Sequence, residues 1–203
     1  LLNNSLRGEL VNIETALLVL DMQKDFISEN GKFLVAKHQI EPMLEKVNSL
    51  IKHAKSHHTP VVYVGNEFRK SQFISNFFRS HAATKGEQGA ELDQRLNVIN
   101  NIYFSKHKGD ALSNKKLVSY LHSLQIREVI IVGVYAEGCV LATAKGCLRN
   151  DFSVVVISDA VAGASDQKKK ASLLKLSSLG VNVKESSQWL ESVFQTKDNA
   201  RKN

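Results

Sequence analysis

The chain has 203 residues, 43% of them hydrophobic, which suits one domain with one sizeable core and leaves little room for two. With 2 prolines and 11 glycines it is neither a fibrous repeat nor a long disordered linker, and no apolar run approaches the ~20 residues of a membrane helix. The net charge of +7 includes basic clusters at Lys168–Lys170 and Lys197–Lys202. No zinc-finger spacing or aromatic–basic RNA motif accompanies them, so they read as a solvated helix face and a basic tail, with no nucleic-acid partner expected.

Residues 1–14 alternate apolar and polar types and lack the apolar stretch of a signal peptide, so a soluble, cytoplasmic protein is expected. A single domain over residues 1–203 is expected, its core running from about Thr15 to about Val193. The first apolar run, Ala16–Leu20, is short and reads as a strand buried on both faces. Ile40, Leu44, Val47, Leu50 and Ile51 then recur at helical spacing. A second run, Pro60–Val64, and a third, Ile102–Phe104, follow. Leu117, Tyr120, Leu121 and Leu124 predict another helix before a fourth run, Val129–Val132. The segment holding Cys139 and Cys147 reads as helix, and Val154–Ile157 is a fifth run. Leu173, Leu174 and Leu176–Leu179 predict a last helix, with a weaker sixth run at Val181–Val183. Strand–helix alternation of this kind implies right-handed crossovers, hence a three-layer, Rossmann-like α/β fold. Its mainly parallel sheet would have about six strands, with helices on both faces.

In such a sheet ligands bind beyond the carboxyl ends of the strands, near the switch in strand order. The candidates there are Asp21, Asn66 to Arg69, Ser105 with Lys106, Gly133 to Cys139, and Ser158 with Asp159. In Gly133-Val-Tyr-Ala-Glu-Gly-Cys139-Val a cysteine follows a tight turn and opens a helix. The glycine spacing resembles a phosphate loop, but Cys139 and Val140 stand where that loop needs Lys and Ser or Thr. A cysteine at a helix N-terminus is expected to have a lowered pKa and to favour the thiolate. Free backbone N–H groups there would stabilise an oxyanion. Asp21 is placed to act as general base toward the thiol, and a lysine at Lys106 would favour both anions. Each of the three also has a plainer reading: a small buried cysteine, a turn aspartate, a solvated lysine. Cys139 and Cys147, eight positions apart on a helix, would lie about 12 Å apart and should both be free thiols, as in a reducing compartment.

Together these motifs make the chain resemble the isochorismatase-like cysteine hydrolases, a family that includes nicotinamidases, carbamoylsarcosine amidases and ureidoacrylate amidases. The resemblance covers roughly Thr15 to Ala164. It rests on Leu20-Asp21-Met-Gln-Lys-Asp25-Phe26, on Lys106 with Leu112, on Gly133–Val140 with Thr143, and on Val156-Ile-Ser-Asp159-Ala160. Gly86-Glu-Gln-Gly-Ala-Glu91-Leu92 is a weaker match. The resemblance implies an isochorismatase-like hydrolase fold and an Asp21–Lys106–Cys139 triad, with Lys108 as a competitor that the spacing to Leu112 disfavours. It implies a cis peptide at Val134–Tyr135, an oxyanion hole built from Tyr135 and Cys139, and a homo-oligomer, dimer or larger. The activity implied is hydrolysis of a C–N bond in a small molecule through a thioester.

Nicotinamidases of that family carry Asp-x-His after the second strand, where this chain has Asn66-Glu67-Phe68. No metal site and no cofactor are therefore expected, and nicotinamide becomes a less favoured substrate. His53 and His57 have metal-ligand spacing, but their helix lies away from the strand ends. Isochorismatases that cleave a vinyl ether commonly lack the cysteine. Phe26, Phe68 and Arg69 are candidate substrate contacts, and the segment Phe68–Arg79 is either a lid or an oligomer contact. Two other functions stay open: a non-catalytic binding protein on the same fold, and a cysteine-dependent acyl transferase.

Overall fold

A computed structural model of the chain describes residues 14–68 and 80–191. All six apolar runs form strands: β1 (Thr15–Leu20), β2 (Val61–Asn66), β3 (Tyr103–Lys106), β4 (Glu128–Val134), β5 (Ser153–Ala162) and β6 (Asn182–Lys184). They make one parallel sheet of order β3-β2-β1-β4-β5-β6. The helices are α1 (Lys24–Ile27), α2 (Lys37–Ser56), α3 (Lys115–Ser123), α4 (Leu141–Leu148) and α5 (Asp166–Ser178). A π-helical turn, Ala136–Val140, leads into α4, and residues 186–191 are helical after β6.

Alternation along β1 shows why the sheet has two covered faces. Leu17 and Val19 join α2, Tyr63, Ile130, Val132 and Trp189 in one buried cluster. Ala16, Leu18 and Leu20 join Leu117, Leu121, Ala144, Cys147 and Leu176, from α3, α4 and α5, in the other. A strand with neither face wet must be apolar throughout, and β1 is almost that.

From β1 the chain winds outward to β2 and β3, then returns across β1 and winds the other way through β4, β5 and β6. The switch in direction falls between β1 and β4, where a crevice opens at the strands' carboxyl ends. Gly133 lets the two strand ends close there. Its φ is +108°, and a Cβ would lie 2.0 Å from the Leu20 carbonyl oxygen, so no side chain fits. Asp21 follows β1 and the turn with Cys139 follows β4, so the switch point brings them to one crevice.

Some expectations need correction. Ser158 and Asp159 were expected beyond the fifth strand, but β5 continues through Ala162 after an irregularity in its pairing with β4. Asp159 instead accepts hydrogen bonds from the N–H and hydroxyl of Ser186 (2.8 and 2.6 Å), at the start of the last helical turns. Arg69 and the rest of the 69–79 segment lie outside the described residues. No helix among the described residues is long and apolar enough to cross a membrane.

Candidate active site

Lys106 is the last residue of β3, in register with Asn66 at the end of β2. Its side chain is fully buried, yet an ammonium in such a place must be paired. It is. The Nζ donates to Asp21 Oδ2 at 2.9 Å, to Asn66 Oδ1 at 2.7 Å and to Cys139 Sγ at 3.2 Å. An ammonium has three protons and no acceptor, so these three contacts use it completely. Burial alone would lower its pKa, but the Asp21 charge and the hydrogen bonds to Asp21 and Cys139 outweigh that and raise it, so Lys106 stays an ammonium. Lys108 is exposed and takes no part in the cluster.

Asp21 leaves β1 with φ of 54° and donates its N–H to the Val64 carbonyl at 2.7 Å, which turns its carboxylate into the crevice. Oδ2 holds Lys106, while Oδ1 is buried without a hydrogen-bond donor. A bare carboxylate oxygen beside a thiol is an acceptor waiting for a proton.

Cys139 lies in the π-helical turn rather than at the first residue of an α-helix. The expected resting thiolate is therefore corrected. Burial pushes the thiol up to about 11, the Asp21 charge adds to it, and Lys106 and Asn66 only partly oppose them. Because Cys139 is the fourth residue of the turn, little of the dipole effect at the helix end reaches it. The resting pair is a protonated thiol beside a carboxylate.

Asn66 was named among the positions beyond the strand ends but was given no role there except as a place where a metal ligand was missing. Besides accepting from Lys106, its Nδ2 donates to Cys139 Sγ at 3.6 Å. Gln23 fixes it from behind. The Gln23 Nε2 donates to the carbonyls of Asn66 (2.8 Å) and Ala90 (2.6 Å), and its Oε1 accepts the Asn66 N–H at 2.8 Å. Gln23 was legible only as one letter of the Asp21–Phe26 motif. Asp25 in that motif accepts the Ala83 N–H at 2.8 Å and packs on Gly89, where any Cβ would strike the carboxylate. That contact accounts for Gly89 in the 86–92 segment.

The Val134–Tyr135 peptide is cis. The Tyr135 carbonyl accepts the N–H groups of Gly138 (2.9 Å) and Val140 (3.1 Å), which shapes the turn below Cys139. Ser172 Oγ anchors the same turn by donating to the Ala136 carbonyl at 2.6 Å. The Tyr135 ring packs edge-on to Phe26 (5.8 Å) and tilted to Phe33 (5.5 Å), and its hydroxyl donates to the Phe33 carbonyl. Phe26 is thus a buried support for Tyr135. Phe68 is likewise buried, its N–H donated to Ala83 and its carbonyl accepting from Lys85. Both were expected as substrate contacts, and in the structure both are packed against neighbouring residues.

His53 and His57 stack at 4.0 Å, with Trp189 edge-on to His53. Among the described residues no group of three His, Cys, Asp or Glu side chains is placed to hold a metal ion. Thr143 Oγ1 accepts the Ala111 N–H at 3.0 Å, tying the loop after β3 to α4 and so fixing Lys106 relative to Cys139.

Comparison with known proteins places this architecture. The chain is 30% identical, over 87% of its length and 95% of the relative's, to a probable inactive nicotinamidase of Arabidopsis thaliana. The N-carbamoylsarcosine amidase of Thermoplasma acidophilum superposes with a TM-score of 0.74 at 25% identity, covering 85% of this chain and 96% of that one. An isochorismatase-like hydrolase from Alkaliphilus metalliredigens superposes with a TM-score of 0.80 over 88% of this chain and 98% of its own, at 23% identity. The isochorismatase domain model matches residues 15–188, and the chain belongs to that family.

Proposed function

We propose that the chain is a cysteine amidohydrolase acting on a C–N bond of a small molecule, with Asp21, Lys106 and Cys139 as its catalytic triad. The observation that carries this reading is the buried Lys106 ammonium, spent on Asp21, Asn66 and the Cys139 sulfur together. A purely structural lysine needs no nucleophile as its third partner.

The chemistry follows from the resting protonation. Asp21 Oδ1 takes the thiol proton as Cys139 Sγ attacks the amide carbonyl carbon, so charge passes from the carboxylate through sulfur to the carbonyl oxygen as the C–S bond forms. Lys106 stays bonded to both groups and stabilises the anion wherever it resides. The N–H groups of Tyr135 and Cys139 hold the oxyanion. Collapse breaks the C–N bond, and Asp21 returns the proton to the departing ammonia or amine. Asp21 then takes a proton from water, whose oxygen attacks the thioester, and the acid leaves as the thiol is reprotonated. The amidase in the comparison supports a C–N bond as the target, as does the cysteine itself.

The Arabidopsis relative, a probable inactive nicotinamidase, favours one second reading, a binding protein that keeps the pocket without turnover. Ammonia release from a panel of small amides and ureido compounds separates the two. Turnover by the native chain, lost in Cys139→Ala, supports the hydrolase. Saturable ligand binding without turnover in any member of the panel supports the binder. Adding hydroxylamine tests the transferase alternative: hydroxamate replacing acid shows an acyl-thioester that accepts nucleophiles other than water. Mass measurement in solution tests the dimer or larger assembly that the family resemblance implies.

A further inference from the structure

Between the carboxyl end of β3 and the start of α3 lies a cavity of about 480 Å³. Among the described residues its lining includes Lys106, His107, Lys108, Lys115 and Lys116 and no acidic residue. Lys106 is spent in the active site, but Lys108, Lys115 and Lys116 are exposed and stand in no ion pair among the described residues. The acid nearest in sequence, Asp110, is already committed. Its Oδ2 accepts from Arg149 at 2.8 Å, its Oδ1 accepts the Leu112 N–H at 2.8 Å, and Gly146 packs against the carboxylate.

The walls of this cavity are tied together. Asn114 Nδ2 donates to the Ser105 carbonyl at 2.8 Å while Asn114 Oδ1 accepts the Lys116 N–H at 3.0 Å, joining strand end to helix start. His107 is held by a 2.5 Å contact from Nδ1 to the Glu67 carbonyl. The placement of Lys115 and Lys116 runs against local electrostatics. The first turn of a helix favours acids, and α3 has none there, only two lysines. Three uncompensated cations around one recess repel one another, and that cost falls when an anion sits among them.

We propose that this cavity binds a small phosphate-class anion, either inorganic phosphate or the phosphoryl group of a metabolite. Lysines are point charges suited to phosphate, and among the described residues the recess is lined by lysines with no acid beside them. The volume lies in the range of small-molecule pockets. The inference does not depend on the amidase reading, because it is tested by binding alone.

The experiment is calorimetric titration of the full chain with phosphate, pyrophosphate and malonate at constant ionic strength. Saturable binding of phosphate or pyrophosphate, weakened about tenfold or more by the double substitution Lys115→Gln with Lys116→Gln, supports the site. Lys108→Gln should weaken it as well, and Lys168→Gln with Lys170→Gln, on α5, should leave it unchanged. A phosphoryl metabolite as the natural occupant would bind more tightly than inorganic phosphate, and pyrophosphate stands in for it. The proposal falls if the Lys115–Lys116 variant binds as the native chain does, if both double variants weaken binding equally, or if malonate binds as tightly as phosphate.

Discussion

A thiol held up near 11 by burial and by the Asp21 charge behaves differently from a pre-formed thiolate. Its alkylation by iodoacetamide should keep rising with pH through 9 instead of levelling below the ~8.5 of a free thiol. Asp21→Asn removes a charge that opposes the thiolate, so Cys139 should titrate lower and its alkylation at pH 8 should quicken by about tenfold. The same variant loses its proton acceptor, so hydrolysis should fall by about 10²- to 10⁴-fold. Opposite signs in the two assays are the signature of a general base; parallel losses would mean that Asp21 only supports the fold. Asn66 gives a second test at this scale. Asn66→Asp trades an N–H donor to sulfur for another negative charge, which should move the alkylation profile to higher pH and lower kcat/KM about tenfold or more. An unmoved profile would show that Asn66 does not act on the sulfur.

The elements that present these residues are held by buried polar clamps, and Asp93 is the clearest. It accepts from Ser28 Oγ and from Arg95, whose own Nη2 donates to the Ile27 carbonyl at 2.6 Å, so the loop after a 3₁₀ turn at Gln88–Ala90 is tied to the segment that follows β1. Burial would raise the Asp93 carboxyl, but the hydrogen bonds from Arg95 and Ser28 prevail and hold it down at about 2. A depressed folded value means stability that is present above the unfolded value of 3.8 and is lost as pH falls toward 2. Asp93→Asn should therefore cost about 2 kcal/mol at neutral pH and flatten the stability curve between about pH 4 and 2, as read by urea denaturation. An unaltered slope would remove Asp93 from that acid limb. Strands β1, β2, β4 and β5 were legible as short apolar runs, and α2 and α3 by an apolar stripe, signals that lie within one segment. Asn66 and Gln23 were not, since their roles come from pairings 40 or more positions apart: Asn66 with Lys106 through strand register, Gln23 with Asn66 across β1 and β2. The protonation of Cys139 was misread for a related reason. The turn before it suggested a helix end, while the depth of burial and the Asp21 charge depend on how β1, β3 and β4 come together.

The sheet is shared by both layers of helix, and that bears on how the molecule unfolds as a whole. Leu50 on α2 and Leu121 on α3 are each at most 1% exposed and lie in different clusters, one on each face of the sheet. Each Leu→Ala substitution should cost about 2–5 kcal/mol, the lost transfer energy plus the cavity left behind. With strands between them the two sites share no side-chain neighbour, so the double variant should lose the sum to within about 0.5 kcal/mol. β1 and β4 contribute alternate residues to both clusters, so neither layer can lose its packing while the strands stay in register. One unfolding transition is therefore expected in both single variants, with the far-UV signal coinciding with the near-UV signal of Trp189, which packs on the Leu50 side. Two separated transitions in Leu121→Ala, with the Trp189 side melting last, would show two independently stable layers and overturn the single cooperative domain.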